Sequence, residues 1–523
     1  MPKAKVTPLA KIMGLVIIAL VVFFGFKYLQ GSGVMSKLVP TASTGGSSAV
    51  PVKVNGKNVK PLRVCVNTWI GFAPGVYFNN GLSASKESRF TSEYGVPVEI
   101  TINDDFQNSL DAWKANKVDV ICNTADVLPV IFPNIMSLEP RVLFQIDWSR
   151  GGDVVVATSA IRTVADLKGK RVAVAFGTPS QTLLLWVLAA GGLRYSDIQV
   201  VKAPTAIDAA TYFKDGKVDA AVMWSPDDED CVSKIAGAHV LRSTKEASNT
   251  IADIFYAKSS FIQTHQTELK AFVEGWLKAA AEINGSDEAQ TKATQLMAKC
   301  FNQPEAVMNL SNARLCTYGD NYNFFNLGGT YTGLKGEDLY EKTTSEIPQI
   351  ALVFGESLPD QSIVPSWRTI VDLSVVKSIS ALANASGQEA ETVAKFTPAT
   401  KSVAAAPAVS TKQVSINFAT GVYELCDDCR YRIDKEFAPI AKSFARNRIR
   451  VEGNTDNVGP RQANITLSQK RARAVVEYLV SRYGFDQNRF VIKGNGPDKP
   501  IAENGTESGR SQNRRTDFEL ISE

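Results

Sequence analysis

Residues 452–479 read EGNTDNVGPRQANITLSQKRARAVVEYL: a strand end, a polar turn, then a long helix. Ala472, Val475, Val476, Leu479, Val480 and Tyr483 recur at i, i+3, i+4 and i+7, the stripe of a helix lying on a core. Working outward, VSINFAT (414–420) alternates as a strand and RYRIDKEFAPIAKSFARN (430–447) predicts a helix. RIRVEGNTD (448–456), RFVIKGNG (489–496) and NRRTDFELI (513–521) predict strands, too short and too few for a membrane barrel. The pattern describes a small α/β unit over 412–523.

Four motifs occur in order within it: TDxxG at 455–459, NxxLSxxRA at 464–472, GxGxxxP at 494–500 and GRxxNRR at 509–515. Together they resemble the OmpA-like (also MotB-like) peptidoglycan-binding domain. The resemblance implies that Asp456 and Arg471 clamp the zwitterionic diaminopimelate end of a peptidoglycan stem peptide. A carboxylate receives the ammonium, and a guanidinium grips the carboxylate through paired hydrogen bonds. Thr455, Asn464, Leu467 and Arg515 match positions that shape or support that pocket. Asn454 stands where the family has the His of G-H-T-D, so a neutral donor replaces an imidazole. Cys426 and Cys429, in ELCDDC, read as a local disulfide in an oxidising compartment or as a pair of free thiols; a zinc site needs a second pair.

Upstream, short strand runs alternate with helical patterns, the sign of parallel α/β layers. LRVCVNTW (62–69), VPVEITINDD (96–105), KVDVICNTAD (117–126), RVAVAF (171–176) and GKVDAAVMW (216–224) are the strands. Ligands of open α/β sheets bind beyond the carboxyl ends of strands, so the polar residues there are site candidates. Gly177-Thr178-Pro179-Ser180 opens a strongly apolar helix. Its hydroxyls either face an anion at the helix start or merely cap the helix. The order WxGFAP loop, DLKGKRVAV, GTPSQT and GKVDAAVMWSP resembles bacterial solute-binding proteins of the nitrate, sulfonate and thiamine-precursor type. The resemblance spans 61–290 well and 291–375 poorly. It implies a two-lobed clamshell, lobe one over 61–150 and lobe two over 151–250, with the chain returning to lobe one through IADIFYAKSSFIQTH (251–265). Carried over, the residues facing a small polar solute are Thr68, Trp69, Gly71, Asn123, Thr124, Gly177, Thr178, Ser180 and Trp224. The run Asp227–Asp230 reads as a solvated loop that disfavours a highly anionic ligand.

At the N-terminus, residues 12–26 (IMGLVIIALVVFFGF) are uncharged between Lys11 and Lys27. Fifteen helical residues span roughly 22 Å against a hydrocarbon core of about 30 Å, a gap that snorkelling lysines and residues to 29 can close. The expectation is an uncleaved anchor at 12–29, with 1–11 cytoplasmic and the rest outside by the positive-inside rule; the rival reading is a cleaved signal peptide, for which FKYLQGSGVMSK offers no A-x-A site. Ser, Gly and Thr enrichment at 30–60, and Ala, Ser and Thr at 376–411, predicts two linkers flanking a clamshell at 61–375.

The expected molecule is α/β, with an inner-membrane anchor, tether, clamshell, tether and wall-binding domain. The partners read from it are peptidoglycan, a small polar solute, the inner membrane and a membrane-protein partner. The formal net charge of +4 excludes a nucleic-acid-coating polycation. Two histidines, His239 and His265, without ligand-spaced companions argue against a zinc centre or a histidine-based triad, and no cofactor is expected. Two other readings stay open: the binding component of an ABC importer, and a MotB-like stator. The stator needs an ionisable residue within the membrane, and 12–29 holds no Asp or Glu.

Overall fold

The computed structural model describes residues 50–357, 363–414, 416, 418 and 421–521. The apolar segment 12–29 lies outside these residues. Among the described residues no helix is long and apolar enough to cross a membrane. At the far end of the expected 30–60 tether the structure differs. Val52–Val54 (β1) and Lys57–Val59 (β2) pair as an antiparallel hairpin. Asn55 and Gly56 both take positive φ, 48° and 81°, the two-residue turn for which Asn-Gly is suited.

Lobe one begins with β3 (Leu62–Val66), β4 (Val98–Ile102), β5 (Val120–Thr124) and β6 (Pro140–Ser149). The chain crosses into a second sheet of β7 (Asp153–Ala157), β8 (Arg171–Ala175), β9 (Gln199–Ala203), β10 (Ala220–Trp224) and β11 (His239–Ser243). It returns to the first sheet as β12 (Ala252–Lys258) and β13 (Ala313–Leu315). The strand orders are β13-β6-β12-β5-β3-β4 and β11-β7-β10-β8-β9. β3 lies parallel to β4 and β5, whereas β12 inserts antiparallel between β5 and β6. Runs such as VVVA in β7 and AAVM in β10 are buried throughout, because helices cover both faces of such sheets.

Three helices frame the cleft: α1 (Phe106–Lys114), α2 (Pro179–Ala190) and α3 (Asp227–Lys234). Asp105 caps α1 by accepting from the Asn108 amide at 2.9 Å. The acidic run Asp227–Asp230 is the first turn of α3 rather than a loop. The positive end of the helix dipole favours carboxylates there. The lobes are joined by residues 149–153 and 243–252. Thr244 Oγ1 ties these crossovers together, pairing with Ser149 Oγ at 2.8 Å and accepting from the Gly151 amide at 2.8 Å.

The tract at 376–411 is a seated strap, not a free linker. Val376, Ile379 and Leu382 are buried in the lobe-one core. Gln388 donates to the Leu277 carbonyl at 2.8 Å and accepts from the Tyr318 amide at 2.9 Å. The C-terminal sheet opens within that tract with β14 (Ala408–Val414), followed by β15 (Arg448–Asn454), β16 (Phe490–Gly496) and β17 (Thr516–Ile521), in the order β14-β17-β15-β16. β15 and β16 are parallel and so need a crossover; it is helix α4 (Arg461–Tyr483). Ala472, Val475, Val476 and Leu479 are buried beneath α4 as the stripe predicts, with Val480 and Tyr483 at its margin.

This domain is docked on lobe two. A single apolar core runs from Val155, Leu183 and Leu188 to Val414, Phe437, Ile440 and Val451. The Asn249 amide donates to the Ser443 carbonyl at 3.1 Å, and Arg242 donates to the Val409 carbonyl. Because α2 lies within this shared core, eleven of its twelve residues are buried, which is why its sequence shows no polar face.

Candidate functional site

In the C-terminal domain, Asn454, Thr455 and Asp456 follow the end of β15. The Thr455 amide donates to the Gly496 carbonyl at 2.8 Å, fixing the loop against β16. Asp456 accepts from the Val458 amide at 3.1 Å and from Arg514 Nη1 at 2.7 Å. Asn464 holds the same loop by donating to the Val458 carbonyl at 3.0 Å. Arg471, buried on α4, donates to the Val422 carbonyl at 3.0 Å and stacks 4.8 Å over the Phe418 ring. Burial pulls this guanidinium down to about 10, opposed by Asp456 and reinforced by Arg514. Leu467 is half-buried on the same helix.

Arg515 supports from beneath. It grips Asp517 with two bonds of 2.9 Å and donates to the Lys499 carbonyl at 3.0 Å. Asn454, in the place of the family histidine, donates to Asp517 at 2.9 Å. Burial would raise the adjacent Glu452, but bonds from Lys499, Asn495 and Lys493 hold it down to about 2. Arg514 was not singled out by sequence, although GRxxNRR contains it. Arg514 is paired with Glu507 at 2.6 Å as well as with Asp456, so carboxylates and guanidinium groups stand side by side here, a charge set complementary to a zwitterion. Cys426 and Cys429, at the start of the preceding helix, are joined as a disulfide.

The second site lies where the two lobes meet. Thr68, at the rim, is held by Asp104 through its amide (2.6 Å) and hydroxyl (3.0 Å). Trp69 Nε1 donates to Asp147 Oδ2 at 2.8 Å. Gly71 is required beside that bond, since a Cβ there would stand 1.4 Å from Asp147 Oδ2. The Trp69 ring lies over Gly152, where a Cβ would be 2.2 Å from the indole. From lobe two, Trp224 meets Phe106 of lobe one edge to face, with centroids 6.4 Å apart. Gly177 donates its amide to Gln181 at 2.9 Å, and Thr178 donates to the Ala175 carbonyl at 3.0 Å. Asn123 accepts from the Thr124 amide at 2.8 Å. The hydroxyls of Thr124 and Ser180 are buried with no hydrogen-bond partner among the described residues.

Four carboxylates absent from the sequence-derived site sit among these residues. Asp126 accepts from the Thr182 hydroxyl across the lobe boundary. Asp153 accepts from Ser149 Oγ at 2.8 Å, and Asp147 and Asp253 lie on neighbouring strands. Burial pushes Asp126 up to about 6 against the Thr182 bond. Burial, with Asp126 and Asp147 nearby, pushes Asp153 up to about 7. Asp147 and Asp253 are both raised, first by burial, and Asp253 further by its like-charged neighbour. A signal did exist: FQIDWS, GGDVVVA and IADIFYA each place a lone Asp in an apolar strand run, and a carboxylate there is seldom buried without purpose.

Residues 417–514 match the OmpA family and residues 146–289 match the family described as NMT1/THI5 like. The chain joins an OmpA domain to an NMT1/THI5-like solute-binding domain. Outer membrane protein A of Bordetella avium is 41% identical over 86 residues, 16% of this chain and 44% of that protein. The "Putative aliphatic sulfonates-binding protein" of Escherichia coli is 31% identical over 156 residues, 30% of this chain and 47% of that protein. The chain thus spans under half the length of either relative. The Escherichia coli periplasmic aliphatic sulphonate binding protein SsuA superposes with a TM-score of 0.45 at 21% identity, covering 60% of this chain and 92% of that one. The OmpA match holds the Asp456–Arg471–Arg514 pocket. The NMT1/THI5-like match begins at β6 and contains Asp147, Asp153, Trp224 and Asp253.

Proposed function

We propose that this chain is a non-enzymatic cell-envelope protein that binds peptidoglycan through its OmpA domain. The same molecule captures or senses a small polar solute in the clamshell, and residues 12–29 anchor it in the inner membrane. The observation that carries the reading is the buried Arg471 facing the Asp456–Arg514 pair inside an OmpA-matched domain. That set accepts the ammonium and carboxylate of one diaminopimelate terminus. Purified sacculi should sediment the full-length chain and should leave Arg471→Ala in the supernatant. Sedimentation of that variant at the wild-type level would remove the assignment.

A second reading makes the clamshell the binding component of an importer with a membrane-protein partner. It is supported by the likeness to the Escherichia coli protein named for aliphatic sulfonates. Tethering between membrane and wall would then hold the captured solute at high local concentration near its permease.

A further inference from the structure

Resting on the reading of the clamshell as a solute site, we infer that its cleft takes a small organic cation, a protonated amine or amidine with a flat or apolar body, and not an anion. The strand register makes the case. Asp253 on β12 stands directly opposite Thr124 of β5 on one side and Asp147 of β6 on the other. Residues so paired project from the same face of a sheet. Asp153 stands opposite Trp224 in the second sheet. Two carboxylates of lobe one, Asp126 and Asp147, are buried, and each keeps one oxygen without a well-formed hydrogen bond among the described residues, with Asp253 lying against Asp147. The buried Thr124 hydroxyl on the same row lies close enough to Asp126 to act on its carboxyl but makes no well-formed hydrogen bond among the described residues. Asp253, between these buried neighbours, is less fully covered than they are.

Among the described residues no opposite charge balances this floor. The guanidinium whose field reaches Asp147 is that of Arg150, and it is already paired with Glu391 at 2.7 Å. Buried carboxylates without cations either take up protons or wait for a positive ligand. The acids at the start of α3, just beyond Trp224, are themselves paired with Lys214 and Lys234. An anion would meet carboxylates on the floor. A bare metal ion fits poorly too, since no three acidic, His or Cys side chains among the described residues converge to hold one. The walls argue for an organic group: Trp69, Trp224 and Phe106 offer aromatic faces and edges on which a cation with an apolar body can lie.

Titration calorimetry on the purified full-length chain tests this, using putrescine, benzylammonium and benzamidinium against methanesulfonate and nitrate. At least one of the three cations should bind saturably at pH 7.5, with protons released on binding. Its affinity should fall at least tenfold at pH 5, where the carboxylates hold protons. Asp253→Asn should weaken that cation at least tenfold. Trp224→Leu, whose fold is checked by circular dichroism, should weaken it without altering proton release. Binding of methanesulfonate or nitrate with no cation bound would overturn the inference while leaving solute capture standing. Failure of all five to bind would overturn both, and sacculus sedimentation would be unaffected in either case.

Discussion

Asp153 and Asp126 share a property that sets the behaviour of the cleft: burial raises both, to about 7 and about 6. A carboxylate raised in the folded state binds its proton more tightly there than in the unfolded chain. Its stabilising contribution is complete below the ordinary carboxylate range and is lost as pH climbs through 6 to 7. Without ligand, the wild type should therefore lose melting temperature between pH 5 and pH 8, and Asp153→Asn should flatten that loss. Equal slopes for the two proteins in thermal unfolding would contradict the raised state of Asp153. Gly71→Ala is a steric test of the same locality. Its Cβ displaces Asp147 or the Trp69 bond, and overpacking of this kind costs about 1–3 kcal/mol, measurable by urea unfolding. Trp69, Trp224 and Thr124 were legible from strand ends, because polar and aromatic residues stand out there. The aspartates were harder, since a single Asp in an apolar run gives no periodicity and its companions lie far away in sequence.

At the scale of elements, periodicity located most of the chain. The α4 stripe is the clearest case, and its prediction is direct. Leu479→Ala removes a fully buried side chain between α4 and β15 and should destabilise the C-terminal unit by about 2–5 kcal/mol, read by chemical denaturation. Two tracts escaped composition-based reading. The β1–β2 hairpin depends on one Asn-Gly turn inside a Val- and Lys-rich stretch that reads as tether. The strap at 376–411 is poor in large apolar residues, yet its few (Val376, Ile379, Leu382) coincide with an open face of lobe one. Which surface a sparse segment covers is a tertiary fact that local pattern does not carry. The first turn of α3 likewise shows four acids that look solvated until the helix dipole is considered.

For the molecule as a whole, motif order announced both units and their sequence, but not that they share a core. Docking follows from apolar residues on α2 and around Phe437 and Ile440, each of which is also explained by its own unit's core. The shared core makes the C-terminal domain and lobe two one mechanical body, with Glu391 of the strap bridging Arg150 of the crossover (2.7 Å) and Arg446 of the C-terminal domain (2.6 Å). Limited proteolysis should accordingly spare residues 408–414, the strand β14 that packs against lobe two, in the wild type. Ile440→Asp, which buries a charge in that core, should expose them to rapid cutting, and equal cutting in both would show that docking does not hold in solution. The central claim remains attachment to the wall through a zwitterion clamp. Its most direct measurement is sedimentation of the full-length chain with purified sacculi, wild type beside Asp456→Ala, with free diaminopimelate titrated in. The wild type should pellet and be released by diaminopimelate, while Asp456→Ala should stay in the supernatant throughout. Pelleting of Asp456→Ala equal to wild type, unmoved by diaminopimelate, would contradict it.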